Sequence, residues 1–169
     1  AISVADNGLV STTAIYSFTV GGVIEPVEFV DDVIETAIRE KLSVDAAKVL
    51  YTNDLWTISE FEVPSGAQSL ADLKHMAYLQ TLTIGNGLSG QLNNIAELAN
   101  LTQLTIANTA VSADELVIIG RLPSLTKLTL DNCGLSTVNG LGSIYNLTHL
   151  DLSNNSIRDI SPLTGLKNI

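Results

Sequence analysis

Hydrophobic residues recur along this chain in a nine-position pattern whose first, fourth and sixth residues are apolar. Its four clear copies are LQTLTIGNG from Leu79, LTQLTIANT from Leu101, LTKLTLDNC from Leu125 and LTHLDLSNN from Leu147. The copies begin 22, 24 and 22 residues apart. A degenerate copy, with Ile58, Phe61 and Val63 in the same slots, lies 21 residues before Leu79. Repeats of this period are typical of a solenoid, because no single unit can bury its apolar stripe alone.

The pattern also predicts the local structure of each coil. Apolar residues two positions apart share one face of a short strand, so stacked copies form a parallel sheet on one wall. Between the strands, apolar residues at steps of three, such as Leu92, Ile95 and Leu98, predict 3₁₀ or short helical turns. The sequence therefore predicts an α/β solenoid, a leucine-rich-repeat right-handed superhelix with a parallel β-sheet on its concave face. About five repeats occupy residues 57–169, and the register places the start of a further repeat at Ile169.

The last two positions of the pattern carry turn and hydrogen-bonding residues. The ninth position holds Gly87, Thr109, Cys133 and Asn155, and the eighth holds Asn86, Asn108, Asn132 and Asn154. An asparagine at the ninth position bonds to the backbone of adjacent coils, which Thr109 and Cys133 can replace only in part. The eighth-position asparagines are expected to adopt unusual backbone angles or to cap strand ends. Cys133 is expected to be a small buried side chain, because no neighbouring base or cationic cluster would activate its thiol.

An amphipathic helix is predicted before the repeats, over about residues 31–42. Its apolar stripe consists of Val30, Val33, Ile34, Ala37, Ile38 and Leu42. A second short helix is predicted within AAKVLYT, residues 46–52. Residues 29–56 are therefore assigned as a helical N-terminal cap that covers the apolar end of the array. Residues 1–28 are predicted to form a leader with one strand at 14–20. This leader is the end of a preceding domain, a disordered segment or, as we favour, a strand that packs on the cap.

The cap helix and the last repeat carry a resemblance to a known family. The helix has Phe29, Asp31, Glu35, Ile38, Arg39 and Leu42 in register, and the chain closes on NSIRDISPLTGLKNI. This combination resembles the internalin-like leucine-rich-repeat proteins of Gram-positive bacteria. The resemblance implies an exported, often wall-anchored protein whose concave sheet binds a host or cell-surface protein. The 24-residue unit and the absence of an IxDIxPL stretch from the earlier repeats depart from the family pattern and leave specificity open.

Composition and motifs exclude several classes of function. Acidic residues number 18 against 8 basic ones, a net charge of −10 that argues against nucleic acid and anionic membranes as partners. No apolar stretch approaches the roughly 20 residues of a membrane span. With one cysteine and no Cys/His cluster, the sequence predicts no metal site and no cofactor. No GxSxG, HExxH or GxxxxGK[ST] motif occurs, so we expect no catalytic residues and no enzyme.

The candidate binding site is the solvent-facing side of the predicted sheet. Its ligand-binding residues are predicted to be Glu60, Glu62, Gln80, Gln103, Lys127, Asp131, His149 and Asp151. The threonines between them are each interpreted as ordinary solvent-facing strand residues. Trp, Tyr and Arg, which are enriched in binding hot spots, occupy none of these positions. Tyr51, Trp56 and Tyr78 are expected to pack inside the protein, and Tyr145 to be exposed.

Two functional hypotheses follow from this architecture. The first is an extracellular or cell-surface recognition and adhesion module of a Gram-positive bacterium, which binds a protein, or alternatively a glycan, through the concave face. The second is a structural spacer or cap domain that presents another domain and has no ligand of its own. Self-association is also predicted, through an uncovered apolar C-terminal coil formed by Ile160, Leu163, Leu166 and Ile169.

Overall fold

Five parallel strands stacked in sequence order form one wall of the protein. A computed structural model describes residues 24–85 and 87–169, so the strand predicted at residues 14–20 and the turn residue Asn86 lie outside the described residues. The strands are β1 (Glu60–Glu62), β2 (Thr81–Ile84), β3 (Gln103–Ala107), β4 (Lys127–Asp131) and β5 (His149–Asp151). Their order is β1-β2-β3-β4-β5 with parallel pairing throughout. This sheet confirms the stacked arrangement that the repeat pattern predicts.

The register of the sheet follows the register of the sequence repeats. Phe61, Leu82, Leu104, Leu128 and Leu150 are paired across successive strands. The middle three are at most 1% exposed and belong to one continuous hydrophobic core. Because strand side chains alternate, the residues on either side of this row lie on the opposite face of the sheet.

Short 3₁₀ helices complete most of the coils on the return side. They span Thr52–Thr57, Ala71–His75, Leu92–Ile95, Leu141–Ser143 and Ser161–Leu163. The 24-residue coil instead forms an α-helix, α2 (Ala113–Gly120), begun by a capping box between Ser112 and Glu115. An α-helix rises less per residue than a 3₁₀ helix, so the two additional residues fit into the same coil.

The predicted amphipathic helix is present as α1 (Asp32–Leu42), with Ile34 and Ile38 fully buried. The prediction of a second helix in AAKVLYT is wrong. The chain before the first 3₁₀ helix is instead paired with residues 24–27, through an antiparallel bridge between Pro26 and Tyr51 and a bond from Val27 N to Leu50 O. These pairings hold the backbone extended, which overrides the local helix propensity of the alanines.

Buried carboxylates attach α1 to the first coil. Asp31 caps α1 by accepting from Val33 N and Ile34 N, and its second oxygen accepts from Gln68 N at 2.6 Å and Ser69 N at 2.9 Å. Asp72, which is fully buried, accepts from the backbone N–H groups of Val30 and Asp31. The pKa of Asp31 is lowered: burial opposes ionisation, but the four backbone donors outweigh it.

Two further side chains join later coils in the same way. Gln91 accepts from Leu70 N and donates to Gln68 O, and Glu115 accepts from Leu92 N. A ladder of side-chain bonds to the preceding coil therefore runs along the return side of the described repeats.

The ninth pattern position behaves as the sequence predicts. Asn155 accepts from the N–H groups of Cys133 and Leu135 and donates to three carbonyls, among them Leu130 O at 2.7 Å. Thr109 donates to Gly85 O at 2.7 Å, and the Cys133 thiol donates to two carbonyls at 3.4 Å. The side chain of Cys133 is 1% exposed, and burial raises its pKa.

The eighth-position asparagines occupy the left-handed region. The φ angles are 53° for Asn108, 51° for Asn132 and 58° for Asn154, conformations that asparagine tolerates better than most residues. Their side chains also link the turns, because Asn132 donates to Asn108 Oδ1 and Asn154 donates to Asp131 Oδ1. This confirms the predicted structural role for the three described asparagines.

The last coil is less open than predicted. Leu163 and Leu166 are buried, at 9% and 7% exposure, whereas Ile160 and Ile169 are 66% and 54% exposed. The expectation that all four form an uncovered apolar surface is therefore wrong for the two leucines, which belong to the same core as the preceding coils.

Candidate functional site

The exposed side of the sheet consists of two rows of side chains that cross the strands. The first row, in register, is Glu60, Thr81, Gln103, Lys127 and His149. The second row is Glu62, Thr83, Thr105, Thr129 and Asp151. We call these two rows the sheet face. Adjacent members of a row lie on neighbouring strands, which are about 4.8 Å apart in a parallel sheet.

A shallow depression of about 350 Å³ lies over β3, β4 and β5 on the sheet face. It brings together four of the residues predicted from the sequence, Gln103, Lys127, His149 and Asp151. Thr105 and Thr129 complete its polar lining. We call it the β3–β5 depression. The repeat spacing predicts this grouping, because equal positions in successive repeats become neighbours across strands.

The other predicted residues lie apart from this depression. Glu60 and Glu62 line a separate concavity of about 230 Å³ together with Lys41 of α1. Gln80 is exposed just before β2, and its carbonyl accepts from the next coil. Asp131 lies at the end of β4, where Asn154 Nδ2 donates to it at 2.6 Å. Sequence reasoning misses Lys41, because only the packing of α1 on the first coil brings it to the acidic pair.

The threonines that precede the strands have a structural role. The hydroxyls of Thr102, Thr126 and Thr148 each donate to the carbonyl of the equivalent residue one coil earlier, at 3.1 Å. The backbone N–H of each threonine donates to the same carbonyl. These side chains therefore fasten the coils to one another, a role that the interpretation of the threonines as solvent-facing strand residues does not include.

The charged groups of the β3–β5 depression differ in how many hydrogen bonds or ion pairs they form within the protein. Asp151 accepts hydrogen bonds from the hydroxyl and the backbone N–H of Ser153, and these bonds, the hydroxyl bond most strongly, lower its pKa. In the part of the chain that the structure describes, Lys127 has no acidic partner within 4.0 Å. His149 Nδ1 lies 3.0 Å from Thr148 Oγ1. The depression thus presents a cation whose charge no protein group neutralises at contact distance.

The aromatic residues divide between packing and exposure. Trp56 and Tyr78 are half-buried and pack edge to face, with ring centroids 5.6 Å apart. Tyr51 is 41% exposed, so the prediction that it packs inside is wrong, because its backbone pairs at the surface with Pro26. Tyr145 is 67% exposed, as predicted. Tyr145 and Arg121 line a concavity of about 270 Å³ on the return side. The sequence pattern does not predict this concavity.

Within residues 24–85 and 87–169, the structure brings no three His, Cys, Asp or Glu side chains together in a way that could hold a metal ion. None of the helices described there has both the length and the apolar character needed to cross a bilayer.

Comparison with known proteins supports the fold. No protein-family model matches the chain. Volume-regulated anion channel subunit LRRC8D of Rattus norvegicus is 31% identical over 106 residues, which are 62% of this chain and 12% of that protein. The Homo sapiens subunit is 30% identical over the same length. The chain therefore spans only 12% of the length of these curated relatives.

A solved structure extends the comparison to most of the chain. An internalin from Listeria monocytogenes superposes with a TM-score of 0.62 and 18% identity, over 82% of this chain and 48% of that one. Together with the in-register parallel sheet, this similarity shows that the chain has a leucine-rich-repeat fold.

Proposed function

We propose that this protein is a non-catalytic recognition module that binds a partner protein through the sheet face. The observation that carries the proposal is the β3–β5 depression, where Gln103, Lys127, His149 and Asp151 converge from three successive coils. These side chains are solvated and lie opposite the buried leucine row, so the core does not require them. A shallow, polar surface built across strands fits a protein surface better than a small molecule, which usually needs an enclosed apolar cavity.

The similarities to known proteins support a binding role. The internalin and the channel subunit carry different names, yet both are similar to this chain. The fold shared with the internalin is a stack of repeats, and extended repeat surfaces commonly serve as binding platforms. We further propose that the module is exported and acts at the surface of a Gram-positive bacterium, which rests on the internalin-like cap helix and closing repeat.

The fold details complete the proposal. We propose that residues 29–56 act as a cap, because the buried face of α1 continues the core of the first coil and its polar face is exposed. We also propose that the stacked coils follow a right-handed superhelix with the sheet on the concave side. Association of two copies through Ile160 and Ile169 is an additional proposal, supported by the exposure of these two side chains.

A spacer without a ligand is the second candidate. It is favoured by the composition of the two rows of the sheet face, which contain no Trp, Tyr or Arg. Such residues dominate the binding energy of most protein interfaces. A glycan ligand through the same face is the other form of the recognition hypothesis.

Site-specific photocrosslinking tests the proposal. A benzophenone amino acid at Thr105, on the sheet face, is compared with the same group at Glu97, exposed on the return side. We expect a protein from host or bacterial surface extracts to crosslink at position 105 and not at position 97. The crosslinked protein is then identified, purified and measured against the chain by biolayer interferometry.

Charge reversal provides the matched control for this measurement. K127E changes the sheet face, whereas R121E makes the same change at an exposed residue just beyond α2. K127E should weaken binding several-fold and R121E should leave it unchanged. Equal crosslinking at both positions, or equal losses in both variants, would refute binding through the sheet face. If a glycan array identifies one sugar whose binding is weakened by K127E and not by R121E, the ligand is a glycan rather than a protein.

A further inference from the structure

The sheet face carries a basic pair within a strongly acidic protein. Lys127 and His149 are in register on neighbouring strands and are the two basic members of the two rows. They lie together in the β3–β5 depression, in a chain whose net charge is −10. A basic site of this kind attracts an anionic group locally, while the surrounding negative charge disfavours extended polyanions.

The acidic neighbours of this pair are bonded elsewhere. Asp151 follows His149 on β5, but its Oδ1 accepts both the hydroxyl and the N–H of Ser153. Asp131 follows Lys127 on β4, and its Oδ1 accepts from the side chain of Asn154. Because neither carboxylate forms an ion pair with Lys127, the ammonium group remains available to an incoming anion.

Thr148 engages one ring nitrogen of His149. Thr148 Oγ1 lies 3.0 Å from His149 Nδ1, so this nitrogen is already in contact with a protein hydroxyl. The other ring nitrogen, Nε2, is the one left for a ligand.

From this geometry we propose that the β3–β5 depression binds a carboxylate of an acidic protein segment, held between Lys127 and His149 with Gln103 as a flanking amide donor. This rests on the proposed recognition function and names the chemistry of its partner. The site favours a single carboxylate over a group with more negative charge. Asp131 and Asp151 lie on the same strands as the basic pair and would repel the additional charge.

Peptide selection tests the ligand chemistry without a known partner. The probe is a phage-displayed library of random linear peptides, panned against the whole chain with K127Q and R121Q chains as parallel targets. We expect peptides enriched in Asp or Glu to be selected by the wild-type and R121Q chains and not by K127Q. Binding of a synthetic selected peptide should fall by up to about fivefold in K127Q, as expected for a surface charge pair.

Two further measurements separate a specific carboxylate contact from general attraction. Changing the selected Asp or Glu of the peptide to its amide should abolish the difference between wild type and K127Q. H149Q should weaken binding of the same peptide in the direction that K127Q does. Circular dichroism of each variant confirms that the fold is unchanged.

The outcomes distinguish the two proposals. Loss of binding to T105R identifies the peptides that bind the sheet face. If these peptides show no preference for acidic residues and no response to K127Q, the carboxylate inference is overturned and the recognition function stands. Selection that returns only peptides indifferent to T105R would overturn both. Preference for a uronic acid or another acidic sugar over every peptide would replace the protein segment by a glycan and overturn the inference as stated.

Discussion

Asp31→Asn should destabilise the protein strongly, although it changes only one atom of the side chain. One oxygen of the asparagine can still cap α1 through Val33 N and Ile34 N. The amide nitrogen then replaces the oxygen that accepts from Gln68 N and Ser69 N. Each hydrogen bond to a charged group contributes about 1.5 to 3 kcal/mol, so losing two should lower the free energy of unfolding by about 3 to 6 kcal/mol.

Asp32→Asn is the matched control for this substitution. Asp32 is the next residue, carries the same charge and is exposed in the first turn of α1. It loses only a favourable interaction with the helix dipole, about 0.3 to 1 kcal/mol. Urea unfolding at neutral pH, followed by circular dichroism and by Trp56 fluorescence, measures both variants.

The pH dependence gives a second, independent check. The pKa of Asp31 in the folded protein lies below its usual value of 3.8, because its backbone donors outweigh the effect of burial. Its contribution is therefore complete above that value and is lost as the pH falls through the folded pKa. The unfolding free energies of wild type and D31N should converge in acid. A D31N chain as stable as D32N at neutral pH, or a gap that persists unchanged at strongly acidic pH, would refute the attachment of α1 through Asp31.

Three further predictions concern the coils themselves. A Cβ at Gly142 would overlap Pro162 O of the next coil, so Gly142→Ala should cost about 1 to 3 kcal/mol. Gly85→Ala, where a Cβ meets nothing within 4 Å, should leave the melting temperature unchanged, and equal melting temperatures of the two variants would contradict the close coil contact at Gly142. Asn155→Ala removes the acceptor of two backbone N–H groups and should cost about 2 to 6 kcal/mol in urea unfolding, and a loss below the lower figure would contradict the inward role of this amide. Cys133 is buried with a raised pKa, so its thiol should react with Ellman's reagent at mildly alkaline pH only after unfolding; rapid labelling of the native protein would contradict its burial.

The strand register could be predicted from the sequence because it depends on one-dimensional spacing. In a stack of coils, residues at equal pattern positions must become neighbours, and Gln103, Lys127 and His149 do so. The inward role of Asn155 and the left-handed turn of Asn154 follow from side-chain chemistry at fixed positions. These features require no knowledge of how distant segments pack.

The remaining features depend on contacts that spacing does not specify. Asp31 lies at the start of the predicted helix, and nothing local indicates that its second oxygen accepts from Gln68 N and Ser69 N. The extended chain at Leu50 and Tyr51 results from pairing with residues 24–27, which outweighs the helix propensity of the segment before it. Asp151 likewise bonds to Ser153 because of local geometry rather than because of the repeat. As a result, Asp151 forms no ion pair with Lys127.

The division between the buried leucine row and the sheet face has a consequence for engineering. The core packing depends on Leu82, Leu104 and Leu128, while the threonine hydroxyls that fasten the coils lie just before the strands. In the part of the chain that the structure describes, Thr81, Thr83, Thr105 and Thr129 contribute no side-chain hydrogen bond to this framework. These four positions can therefore be randomised together with little effect on folding, which makes the chain a scaffold for selecting binders with new specificity.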